Sequence, residues 1–97
     1  MADYILLMHG DGGAEQAADW EAYFDRLASA GRLRGGSAIG AGGGYRKGGA
    51  PGPVSAHLTG FVRIAAESLA DAETCLAGNP VYEAGGTVEI RLLPEDV

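Results

Sequence analysis

At 97 residues with a formal net charge of −6, the chain is sized for one domain and lacks the basic surface that nucleic-acid phosphates require. Its six arginines and one lysine are scattered, and its single cysteine, Cys75, excludes an internal disulfide and a cysteine-clustered zinc site. A domain this small without a staple gains most from covering surface by oligomerisation, and the reading is an acidic cytoplasmic protein without nucleic-acid or membrane partners.

The first element is Tyr4-Ile5-Leu6-Leu7-Met8, a continuous apolar run too short for a membrane span and without the basic start of a signal peptide. Both faces of such a strand want cover, which makes it central, and His9-Gly10-Asp11-Gly12-Gly13 ends it in turn chemistry. Across residues 15–30, Ala17, Trp20, Phe24, Leu27 and Ala28 recur at spacings of three and four. The spacing predicts an amphipathic helix, with Gly31 as the residue past its end.

Residues 33–39 read as a weak second strand. Residues 40–53 are dominated by glycine and proline and read as a mobile excursion, with a short hairpin around Tyr45 to Lys47. Strand character resumes over residues 58–65, where Gly60 marks close approach by another backbone. Ser68 and Asp71 then open a second helix with Leu69, Ala72 and Leu76 as its buried stripe, and Gly78-Asn79-Pro80 closes it. The last segment, Thr87-Val88-Glu89-Ile90-Arg91-Leu92-Leu93-Pro94, alternates with period two and predicts a strand with Val88, Ile90 and Leu92 on its buried side.

The order strand, helix, strand, excursion, strand, helix, strand predicts an α+β domain on the ferredoxin-like βαββαβ plan, with an antiparallel sheet and both helices on one face. The other face has no helix to cover it. Packing two such sheets face to face makes a homodimer.

The runs from Tyr4 to Asp11 and from Trp20 to Leu33, then Gly60-Phe61-Val62, Asn79-Pro80 and Gly86 to Arg91, resemble the YCII-related proteins. Within that family the chain is similar to the subgroup named for an Asp-Gly-Pro-Phe motif. The resemblance covers nearly the whole chain and implies a dimeric α/β barrel. Where the subgroup carries its motif, this chain has Pro51-Gly52-Pro53-Val54, keeping the turn and losing the acid and the aromatic ring. The family's histidine and aspartate pair, assigned to a pocket between sheet and first helix, falls at Tyr23 and Asn79. Neither member survives, so the halide elimination credited to some relatives does not carry over.

Two other groups compete as catalytic candidates. His9 ends the first strand beside Asp11, as a base oriented by an acid would, and His57 follows the excursion and is placed to swing over a pocket. His9 also reads as a lone histidine in a solvated turn. Their spacing is not that of metal ligands, so no metal or cofactor is expected. Tyr23 reads as core or pocket wall, Asn79 as a local backbone partner, and Cys75 as a packed thiol. The glycine stretch fits neither a dinucleotide nor a P-loop pattern. The functional expectation is a small dimeric protein that binds an unidentified small molecule or serves as an accessory module, its pocket candidates being His9, Asp11, Tyr23 and Asn79. The alternative is a lyase or hydrolase of small metabolites with His9 or His57 as base.

Overall fold

The computed structural model describes residues 1–95. Strand β1 (Ala2–His9) is central, paired antiparallel with β3 (Leu58–Ala66) on one side and β4 (Val88–Leu93) on the other; β2 (Leu33–Ala38) adds outside β3. The resulting order β2-β3-β1-β4 is an open four-stranded antiparallel sheet, compatible with the ferredoxin-like plan. Opposite Leu6 stand Val62 on β3 and Ile90 on β4, so period-two alternation sends Tyr4, Leu6, Met8, Val62 and Ile64 to one face. All five are buried there with Tyr23, Leu27, Ala72, Cys75 and Val81 from the helical segments. Burying a leucine of this kind contributes about 1.5–3 kcal/mol, which makes this single face the core.

Helix α1 (Ala17–Ser29) begins two residues later than the periodicity predicts, after Gln16, which makes no side-chain cap. It ends as expected at Gly31, whose φ of 73° suits glycine. Gly31 N–H donates to Ala28 O and Arg32 N–H to Leu27 O, the paired bonds that close a helix in a Schellman turn. Gly60 also behaves as expected, since a Cβ there would lie 3.2 Å from Ser37 O on the neighbouring strand. In residues 39–57 no strand forms; the chain doubles back so that Gly44 meets the backbone of Gly52, without a hairpin ladder around Tyr45.

The second helical segment differs from the expected single helix. Helix α2 (Leu69–Glu73) starts where predicted, with Ser68 Oγ accepting from Asp71 N–H at 3.1 Å. It then tightens into a 3₁₀ turn (Thr74–Leu76), within which Cys75 enters the core, while Leu69 stays 51% exposed. The chain does not simply stop at Pro80. Asn79 caps a further one-turn helix, α3 (Pro80–Glu83), whose first position is the proline. Its end repeats the device at the end of α1: Gly85 has φ 85°, and Gly86 N–H donates to Val81 O at 2.8 Å. On β4, Val88 and Ile90 pack against the core, whereas Leu92 lies largely exposed on this edge strand. No helix of the described residues is long and apolar enough to cross a membrane.

Candidate functional site

At the carboxyl end of β1 the core stops being filled. The positions facing the helices there are Met8 on β1, Gly60 on β3, and Gly36 and Ala38 on β2, all small apart from the methionine. Helix α1 continues above them with Trp20 and Phe24, ring centroids 5.5 Å apart, and α3 contributes Val81. Large side chains above and glycines below leave a cavity of about 320 Å³ between sheet and first helix, at the small end of the ligand-pocket range. Its walls are apolar. The polar residues of its lining are Ser37, Thr59 and Glu15, and Glu15 Oε1 accepts from Trp20 Nε1 at 2.8 Å.

Tyr23 and Asn79 lie together beside this cavity and do not line it. Tyr23 is 1% exposed and its hydroxyl donates to Cys75 O at 2.6 Å, pinning α1 to the 3₁₀ turn. Burial pushes the phenol above its ordinary value of 10.0, against a smaller opposing effect of the Asn79 amide. Asn79 is fully buried. Its Oδ1 accepts from Val81 N–H at 3.0 Å and Tyr82 N–H at 3.1 Å, and its Nδ2 approaches Met8 Sδ at 4.0 Å. Every buried side-chain nitrogen and oxygen among the described residues has a partner, so this pair holds structure together and offers no idle group. Burial likewise raises the Cys75 thiol, which disfavours the reactive thiolate. A second, more polar groove of about 430 Å³ runs between α1 and α3 and is bordered by Glu15, Asp19, Arg26 and Glu83.

The histidines meet elsewhere. His9 and His57 stand edge to face with ring centroids 4.9 Å apart, and His9 Nε2 lies 3.1 Å from Glu89 Oε1. Glu89 rather than Asp11 is thus the carboxylate at His9, because alternation brings the outer face of β4 alongside the outer face of β1. Glu89 also accepts from Arg91 Nη1 at 3.1 Å; Arg91 first and His9 second hold its carboxyl below the ordinary 4.5. Asp11 is committed otherwise. Thr87 N–H and Thr87 Oγ1 donate to its two oxygens at 2.8 and 2.7 Å, which holds its carboxyl below 3.8 and ties the exit of β1 to the entry of β4. His57 is exposed, and its carbonyl accepts from Gly10 N–H at 2.8 Å.

The structure therefore brings together two of the sequence candidates on each side, His9 with His57 and Tyr23 with Asn79, and keeps the pairs apart. Among the described residues no three His, Cys, Asp or Glu side chains are grouped to hold a metal ion. Sequence reasoning missed the walls of the cavity, Trp20 and Phe24 over Gly36 and Gly60. The available signal was two glycines on strands opposite a helix with two adjacent rings. It also missed α3, whose signal was Asn79 and Pro80 at a helix start with Gly85 five residues after Pro80.

No protein-family model and no curated protein matches this chain.

Proposed function

We propose that this protein is a small-molecule binding module, a dimeric α/β barrel of the YCII-related type that lacks the family's histidine and aspartate pair. The observation that carries the binding reading is the apolar cavity of about 320 Å³ under Trp20 and Phe24. A void of this size lined by rings forfeits packing that a ligand restores, and burying an apolar ligand there is favourable for the reason the core is. Trp20 is the chain's one tryptophan and reports occupancy directly. Titration with small aromatic molecules is expected to change Trp20 fluorescence saturably. Ala38→Phe, at an exposed position on the cavity's rim, is expected to abolish the response while leaving the fold intact. A response unchanged by Ala38→Phe overturns the reading.

The dimer is supported by the face that carries no helix. Ile5, Leu7, Phe61 and Leu93 are half-buried there, and Asp3 with Arg63 and Glu89 with Arg91 form ion pairs among them at 3.4 and 3.1 Å. An apolar strip with its charges already paired suits contact with a second copy of the same face. Light scattering is expected to give twice the 9.9 kDa chain mass, and Leu7→Arg to halve it. A monomer at micromolar concentration overturns the barrel. Location in the cytoplasm belongs to the same reading, supported by a buried free thiol at Cys75 and the acidic composition.

The contact of His9 with Glu89 and His57 favours a second reading, a lyase or hydrolase with His9 as base. In that reading Glu89 holds the imidazole in place and the His57 ring stands against it.

A further inference from the structure

The one charged residue in the cavity's lining is acidic. The lining includes Glu15 and no arginine, lysine or histidine. Glu15 Oε1 accepts from Trp20 Nε1, and Oε2 takes no hydrogen bond among the described residues. The adjoining groove adds Asp19 and Glu83 to the same surroundings; its only base, Arg26, is turned toward Ala77 O at 3.1 Å. An anionic ligand entering here would leave water for an apolar wall with no cation to meet it, which is costly. A cationic ligand meets the exposed carboxylate of Glu15, one oxygen of which is open, beside the rings of Trp20 and Phe24.

We propose that the cavity selects an aromatic or alkyl amine, its apolar part under Trp20 and Phe24 and its ammonium group at Glu15. The inference rests on reading this cavity as a ligand site and adds the class of ligand. Glu15 supplies the selectivity, because a neutral molecule of the same shape gains the apolar contact alone. Discrimination against carboxylates follows from the missing base rather than from shape. The volume sets the size at about one ring system with a short chain.

Three probes of matched shape test it: 2-phenylethylamine, 2-phenylethanol and 3-phenylpropionate, each titrated against Trp20 fluorescence. The amine is expected to bind at least about tenfold more tightly than the carboxylate, with the alcohol between them. Glu15→Gln keeps an acceptor for Trp20 Nε1 and removes the charge, so the amine should fall to the level of the alcohol while the alcohol is unchanged. Equal binding of amine and carboxylate, or an advantage of the amine that survives Glu15→Gln, overturns the proposal and leaves the cavity reading standing. Saturation by none of the three probes overturns the cavity reading and the amine preference with it.

Discussion

Arg32 and Asp71 form a two-pronged ion pair, Nη2 to Oδ1 at 2.8 Å and Nη1 to Oδ2 at 3.0 Å, that joins the start of β2 to the first turn of α2. The planar guanidinium matches the carboxylate, and Arg32 Nη1 also donates to Ala65 O at 3.2 Å. Asp71 takes Glu67 N–H as well, at 2.9 Å. One carboxylate thus fixes an edge strand, a helix start and the loop before it.

Arg32 first, then the Glu67 amide, lowers the Asp71 carboxyl from 3.8 to about 2. A depressed folded-state value stabilises the fold above the unfolded value, and that stabilisation is lost as pH falls from near 4 through about 2. Thermal midpoints measured from pH 5 to pH 2 are expected to drop across this window, and Asp71→Asn to make the drop shallower and lower the midpoint at neutral pH by several degrees. Asp11 and Glu89, also held below their ordinary values, supply the part that remains in the variant.

Tyr23→Phe removes the donor to Cys75 O inside the core and leaves that carbonyl without its partner. The expected loss is about 1–3 kcal/mol in urea denaturation. Ligand titrations at the cavity should stay within about twofold of the parent protein, because the hydroxyl faces the 3₁₀ turn and not the cavity. A cavity affinity that collapses with the hydroxyl would place Tyr23 in the binding machinery.

Asn79→Ala strips two N–H groups of their acceptor at the start of α3, at a cost of about 1–2 kcal/mol. Hydrogen exchange should report it locally, with Val81 and Tyr82 amides losing protection before the strands do. Uniform loss across the sheet would mean that α3 unfolds only with the whole domain.

If the chain turns over a small ester, lactone or halide, His9→Ala is expected to lower the rate by about 10²-fold or more, and Glu89→Gln by less. Tyr23→Phe should leave the rate nearly unchanged, since a buried phenol raised above 10.0 stays protonated at neutral pH. Rates that survive His9→Ala and His57→Ala but fall with Tyr23→Phe or Asn79→Ala would refute the histidine-based reading.

Trypsin should cut first after Arg46 or Lys47, on the segment that leaves the sheet after β2. No strand or helix forms in residues 39–57, and Tyr45 is 88% exposed. Mass spectrometry of early digests reads the site. Early cleavage at Arg63 or Arg91 instead would mean that the sheet opens before this segment does.

The chain by itself determined the elements whose signals are local. Apolar runs and alternation mark β1, β3 and β4; three-and-four spacing marks α1; Gly31 and Ser68 mark a helix end and a helix start, because backbone conformation and capping depend on neighbours within a few residues. Two helical details were left to packing. Leu69 sits at the right spacing for burial yet stays exposed in the first turn of α2, while Cys75, three residues after the buried Ala72 and within the 3₁₀ turn, is the one that enters the core. Asn79 and Pro80 end one segment and begin another, a choice that requires the single turn of α3 to find cover for Val81.

The candidate sites were decided by the tertiary structure alone. Asp11 is two residues from His9 in the chain, but Thr87 takes both of its oxygens, and the register of β1 against β4 brings Glu89 to the imidazole from 80 residues away. The cavity is a property of three strands and two helices together: Gly36 and Gly60 are unremarkable singly, and only their meeting on one face under Trp20 and Phe24 leaves the space open. Local physics writes the elements into the sequence, whereas a space between elements exists only after each has chosen its neighbour.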